Sequence, residues 1–491
     1  MSNDIAMGQS AASVGWLQCW WKKLSGQTIL FYALIFCTVA FSRDFAYLHL
    51  RLMAEAPFVG LGSKSSSSTS FFAQVEQGGL SIYATEIFLA LVLGGILIRR
   101  LRENNWGFER TPLDYWYALW FLVGLAELVR GIVGGNNILL AFRDFGMIYY
   151  VVFYYVAREV CSTWQRIHWL FLVISVGTAL RILIANWYYV VDENFLPGGE
   201  IHWPDYSRFM SGINGAYILV AVITGMSLWQ WAPLKRRWIL FLYISLAAFT
   251  LVLTQQRSLM IALLIGVGVV TVGGKLLGTL KPVNPAWLLA GVVLVGALMW
   301  MVRVSVGPPG HAAFLGPINY FVLKTVCTAD FTEPAVCQHY KVEATESKDT
   351  ASFRKDAWEE AWRRFMKNPF LGEGLGKPFI FYDSVQKRSW TEDVRPHNTY
   401  MTVLYKMGLV GLAVFIVIHV VFYLAVWQRL RRELPSMKTY LWGLTAATIG
   451  LQVYGFLNLL LESPFLSLFY WSLVGLIITP VKFPEVEDLR A

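Results

Sequence analysis

Charge is scarce in this chain. Of 491 residues, 15% are Asp, Glu, Lys or Arg and 56% are hydrophobic, whereas a soluble domain carries about a quarter charged residues. That balance excludes an ordinary soluble globular protein. Cysteine is scarce too: Cys19, Cys37, Cys161, Cys327 and Cys337 are too few for a disulfide scaffold. No Asp-x-Asp pair occurs, so one common way of holding a divalent ion against a diphosphate is missing. The seven histidines (His49, His168, His202, His311, His339, His397 and His419) are dispersed without metal-ligand spacing. No internal repeat is apparent. The net charge of +9 does not indicate a nucleic-acid partner, because the basic residues lie in short clusters between apolar runs.

What is abundant is long apolar runs, with 21 Trp and 23 Tyr to mark membrane–water interfaces. The runs predict an all-α integral membrane protein of about twelve transmembrane helices. Residues 1–27 form a cytoplasmic segment without a cleavable signal, anchored by Trp20, Trp21, Lys22 and Lys23. Spans one to nine occupy 28–303, at 28–42, 80–98, 114–133, 138–157, 167–190, 209–231, 238–254, 259–273 and 286–302. Residues 304–408 make an outer segment of short helices, spans ten to twelve occupy 409–480, and 481–491 is a cytoplasmic tail. The segment 43–78 that follows the first span carries Arg43, Asp44 and Arg51, and its Ser-rich run at 63–70 reads as a low-complexity loop. Clusters such as Arg99-Arg100, Lys235-Arg236-Arg237 and Arg431-Arg432 end spans on one side. The positive-inside rule then puts both termini in the cytoplasm and 304–408 outside, the periplasm of a Gram-negative cell.

In an oxidising outer compartment Cys327 and Cys337, ten positions apart, are expected to pair, worth about 2–3 kcal/mol for so short a loop. Residues 352–368 read as an amphipathic helix capped by Ser352, with Phe353, Ala357, Trp358, Ala361, Trp362 and Phe365 on one stripe. It stops at Asn368-Pro369, ahead of Leu371-Gly372-Glu373-Gly374-Leu375-Gly376. That glycine run is a turn rather than a nucleotide fingerprint, which needs a strand before it and a helix after.

Two arginines oppose their surroundings. Arg257 interrupts a hairpin between two apolar spans, where it serves function or snorkels to the interface. Arg354 falls in the predicted first turn of the amphipathic helix, where the dipole favours an anion. A bound anion would resolve both. His419 sits within a span and reads as a satisfied packing histidine. Asp192, Glu193, Glu200 and Asp205 read as a solvated loop, with Asp205 or Glu462 available to assist a base.

The chain's focal stretch is Arg395-Pro396-His397-Asn398-Thr399-Tyr400, running to Gly408 and Gly411: His-Asn, nine residues, Gly, two residues, Gly. Pro396 predicts that His397 lies in a helix's first turn at the membrane boundary. This pattern resembles the signature of the O-antigen ligase and O-antigen polymerase superfamily. The Arg, Trp, Asn-Pro and Gly-x-Gly-x-Gly order before it extends the resemblance over 250–475. The resemblance implies a metal-independent, cofactor-free glycosyltransferase that takes an undecaprenyl-diphosphate-linked glycan to a sugar or lipid A-core acceptor. It gives Arg257 and Arg354 a grip on the diphosphate and His397 the role of base. Arg395 (phosphate-facing or structural) and Asn398 (orienting acceptor or imidazole) complete the predicted site. Membrane lipids and other polysaccharide-assembly proteins are the remaining expected partners.

Polymerisation, ligation to lipid A-core and transfer to a protein hydroxyl share this signature. The first outer loop and second span resemble exopolysaccharide polymerases somewhat more. A lipid-linked sugar flippase or transporter is the competing class, but it predicts internal repeats and a midplane charge site. A membrane scaffold would not need the outer His and Arg set.

Overall fold

A computed structural model describes residues 25–54, 84–104, 109–191, 212–229, 234–254, 256–276, 285–306, 341–384, 387–390, 395–433 and 435–480. Its elements are α1 (Gly26–Ala54), α2 (Ala84–Glu103), α3 (Pro112–Val133), α4 (Ile138–Tyr149), α5 (Val152–Val160), α6 (Trp164–Val191), α7 (Gly212–Leu228), α8 (Leu234–Leu253), α9 (Arg257–Leu276), α10 (Pro285–Val306), α11 (Lys341–Lys367), β1 (Phe381–Asp383), β2 (Arg388–Trp390), α12 (Thr399–Arg432), α13 (Pro435–Leu457) and α14 (Pro464–Ile478). The protein is a helical membrane protein. The expectation from the sequence is about twelve transmembrane helices. Among the described residues four helices, α3, α6, α9 and α12, are long and apolar enough to cross a membrane. The pair α4 and α5, bent by 41°, makes a fifth if counted as one span.

The helices begin where local chemistry predicts. Pro112 opens α3, with the Thr111 N–H donating to Asp114 Oδ2 at 2.6 Å. Asn137 caps α4, its Oδ1 accepting from the Leu139 and Leu140 N–H groups. A buried aromatic core then joins them. Trp120 of α3 meets Phe415 of α12 at 5.6 Å between ring centroids, and Tyr117 meets Trp471 of α14 edge-on at 5.5 Å. On the other side α13 packs on α7 and α9.

Four expectations need correction. Helix α1 runs on through Arg43 and Asp44 to Ala54, because nothing in that stretch breaks a helix. The fourth span is broken at Tyr150-Val151 rather than continuous. The segment predicted to lie outside contains two paired strands as well as helix, antiparallel with Phe381 opposite Trp390 and Asp383 opposite Arg388. Strands of three residues are too short to show alternation in sequence. Finally, α11 starts at Lys341, not at a Ser352 cap, since Lys341–Ala351 contains neither Gly nor Pro. Arg354 therefore lies mid-helix, and the dipole argument made for it does not hold.

On α11 the inward stripe is Ala357, Ala361 and Phe365, packed with Phe379, Phe381, Leu404 and Tyr405; Trp362 faces outward, 52% exposed. Cys327 and Cys337, the acidic residues between 192 and 205, and the terminal segments 1–24 and 481–491 lie outside the described residues.

Candidate active site

Helix α12 is the frame of the site. Asn398 caps it, Oδ1 accepting from the Met401 N–H at 3.0 Å. His397 lies just before the cap rather than in the first turn, with φ of +51°. Its backbone reverses there so that the chain can enter the helix. Such a conformation costs a non-glycine residue about 1–2 kcal/mol, so neighbours must hold it. One is Trp358 of α11, whose indole Nε1–H donates to the Pro396 carbonyl at 2.8 Å. Another is Asn458, just past the end of α13, 3.1 Å from the imidazole Nδ1. At about 0.5–1.5 kcal/mol each, two such hydrogen bonds offset the strain.

The Asn458 contact decides the tautomer. Its Oδ1 also accepts the Leu459 N–H at 3.0 Å, which fixes that atom as oxygen. The imidazole must then donate through Nδ1, leaving Nε2 as a lone pair. Burial pushes the His397 pKa below its ordinary value and the nearby Arg354 charge lowers it further, against the opposing Asn458 bond. The ring is neutral at neutral pH and ready to accept a proton. Phe353 meets it edge-on at 5.8 Å.

Arg354 of α11 lies near enough for its charge to act on this ring, and Arg257 of α9 near enough to act on Arg354. Arg257 is the first residue of α9, whose first turn carries no acidic residue. The unfavourable helix-end cation expected at Arg354 is thus found at Arg257 instead. Burial lowers the Arg354 pKa, the Tyr454 hydroxyl opposes this, and the Arg257 charge lowers it again. Among the described residues no carboxylate lies within ion-pair distance of Arg354. Two like charges and a neutral imidazole linked in this way make a site for an anion beside a base.

Arg395 and Asn398 take different places. Arg395 is buried and paired with Asp144 of α4 at 3.1 Å. Lys406 of α12 and the Gly376 N–H bind the same carboxylate through Oδ2. Arg395 thereby ties the chain just before α12 to α4. Asn398 is 1% exposed and its amide oxygen is committed to the cap, so Asn458, rather than Asn398, orients the imidazole. The glycine run is a docking turn. Gly372, Gly374 and Gly376 all have positive φ, and the Glu373 and Gly374 N–H groups bond to the Tyr405 and Lys406 carbonyls.

Glu462 lies in the turn before α14, where its Oε2 accepts from Thr399 Oγ1 at 2.5 Å. His419 is a packing histidine, with Nδ1 on the Phe415 carbonyl and Nε2 on the Tyr470 hydroxyl at 2.8 Å.

Sequence reasoning missed Asn458, Tyr454 and Asp144. Two left a trace: Asn458 is one of two amides, with Gln452, in an apolar run, and Arg143-Asp144 is a charged pair within a predicted span. Residues 242–416 match the family model described as O-antigen ligase, a stretch holding Arg257, Arg354, His397 and both motif glycines. Asn458 and Glu462 lie beyond it. No curated protein matches the chain.

Proposed function

We propose, for a chain that belongs to the O-antigen ligase and polymerase superfamily through residues 242–416, that it transfers a glycan from a polyprenyl-diphosphate carrier to a sugar hydroxyl in surface-polysaccharide assembly. The carrier is undecaprenyl diphosphate, the membrane is the inner one, and the reacting face is periplasmic. One observation carries this reading: Arg257, Arg354 and His397, from three separated segments, are electrostatic neighbours in turn, Arg257 acting on Arg354 and Arg354 on His397.

The chemistry follows from that set. The acceptor hydroxyl attacks the anomeric carbon; a new C–O bond forms as the bond to the diphosphate breaks. Charge grows on the departing diphosphate, and the two guanidinium groups stabilise it in a partly desolvated cleft. His397 Nε2 takes the proton of the attacking hydroxyl. A positioned base of this kind supplies about 10²–10⁴-fold. Fixed guanidinium charge carries the electrostatic role here.

Between polymerisation and ligation the reading favours polymerisation, on the resemblance of the first loop and second span. The test is glycan blotting of a deletion strain complemented with wild type, H397A, R257A or R354A, with membrane insertion verified. All three variants should insert and fail to restore glycan. Single repeat units left on lipid A-core in the deletion strain mean a polymerase, and long glycan left on the carrier means a ligase. Full restoration by the variants would overturn the site.

A further inference from the structure

The outward face of α11 changes character along its length. Lys355, Glu359, Trp362 and Met366 follow one another at helical spacing, and Phe370 extends the line into the turn after Lys367. The first two are an exposed pair at 3.8 Å, an ordinary water-facing helix surface. The next three are large, apolar and exposed, Met366 by 59% and Phe370 by 70%, and Leu371 is exposed beside them. The opposite side of the helix already supplies its packing, through Ala357, Ala361 and Phe365 against Leu404 and Tyr405. The exposed four are therefore surplus to the core. Four such side chains together at a surface mark an interaction face.

The neighbouring surface identifies the partner. The Leu409 N–H donates to the Pro369 carbonyl at 2.8 Å, and the Val410 N–H to the Phe370 carbonyl at 3.2 Å. Leu409 and Val410 are themselves exposed, and with Ile416, Val420 and Leu424 they line one side of α12, a helix long and apolar enough to cross a membrane. On the other flank Arg130 of α3 donates to the Leu371 carbonyl at 2.6 Å. Val129 and Val133 of α3, a second helix of spanning length, are exposed as well. The surfaces that two spans present to hydrocarbon thus run on into the end of α11. Its rim is basic: Lys367 is exposed, as is Arg363, which also bonds to Glu360. Cations at the edge of a face bearing Trp and Phe are what an interfacial helix offers to phospholipid headgroups.

We propose that the end of α11 is seated in the membrane interface. Trp362, Met366, Phe370 and Leu371 lie among the acyl chains of neighbouring phospholipids, Lys367 lies at their phosphates, and Lys355 and Glu359 stay in water. Such faces sit about 5–10 Å into the headgroup and acyl boundary. The seating fixes the height of the helix that carries Arg354, about two turns from Trp362. It concerns how the chain meets the bilayer and does not depend on the role of His397.

The test places the photo-crosslinker p-benzoylphenylalanine at one position of the full chain, reconstituted in vesicles of phosphatidylethanolamine and phosphatidylglycerol. Mass spectrometry reads the adducts after irradiation. The probe in place of Met366 or Phe370 should capture phospholipid, as it does in place of Leu424 within the span. In place of Lys355 or Glu359 the lipid adduct should be lost. Unfolding temperatures should match wild type, because every replaced side chain is exposed; Trp362 and Leu371 supply further positions on the same face if one replacement lowers the temperature.

Absence of lipid adducts across the face, beside a clear one at Leu424, would put it in water and overturn the seating. Cross-links from Met366 and Phe370 to a second copy, or to another part of the same chain, overturn it too, since protein then covers the face. Equal lipid capture at Lys355 and Phe370 would do the same, because the polar half of the stripe would then lie as deep as the apolar half.

Discussion

At the scale of single residues, the proposed mechanism turns on the proton affinity of one imidazole. His397 is held below its ordinary pKa by burial and by Arg354. Activity should therefore be full at neutral pH and fall as pH drops through that lowered value, when imidazolium forms. Replacing Arg354 by Gln removes a neighbouring positive charge, so the His397 pKa should rise, and histidine NMR titration reads the shift. An unchanged or lower value would separate the two residues. Asn458→Leu removes the acceptor that selects the Nδ1–H tautomer; glycan transfer should fall about 10²-fold, within the range assigned to a positioned base.

Asp144 is a different case. It is buried against Arg395 and Lys406, with side-chain exposures of 1%, 6% and 1%. Breaking a buried pair by removing one partner costs about 3–5 kcal/mol. Asp144→Asn should thus lower Tm and the yield of folded protein, and Asn458→Leu should lower them much less, by about the 0.5–1.5 kcal/mol of a hydrogen bond. The carboxylate that Arg395 meets is 251 positions away, so the pair could not be read from local sequence.

At the scale of elements, the junction between the outer segment and α12 depends on a glycine. Gly408 breaks the helix with φ of +65°, and the Leu409 and Val410 N–H groups turn to the carbonyls of Pro369 and Phe370. A Cβ there would meet the Phe370 oxygen at 2.2 Å, and φ is unfavourable for any L side chain. Gly408→Ala should therefore destabilise the protein and abolish transfer. Gly268→Ala in α9, where a Cβ meets nothing within 4 Å, should be neutral or stabilise by about 0.5–1 kcal/mol. Comparing the two unfolding temperatures tests the assignment. The motif's first glycine was legible as a bend before the span, but its partner loop was not. The start of α11 was missed for a related reason: Ser352 offers a capping side chain, yet the Lys341–Ala351 stretch before it also propagates helix, and propagation wins once a nucleus exists.

At the scale of the molecule, the proposed orientation has a direct check. Glu359 is exposed on α11 and Arg431 is exposed in the last turn of α12. Single cysteines at these positions, in a background lacking the native ones, should label oppositely with an impermeant thiol reagent. E359C should react from the periplasmic side in spheroplasts, and R431C only after the membrane is opened. The reverse pattern would put His397 in the cytoplasm, away from the face where the finished carrier-linked glycan is proposed to react.

By itself the sequence determined the helical membrane class and the family resemblance, and it nominated Arg257, Arg354 and His397 as candidates. Apolar length, basic clusters and short-range spacing are properties of neighbouring residues, so they can be read without a fold. Tertiary structure decided the partners. The imidazole finds Asn458 across 61 positions, and Asp144 finds Lys406 across 262. Such contacts are selected by how helices close over a shared core, and no local pattern encodes which distant side chain will be there.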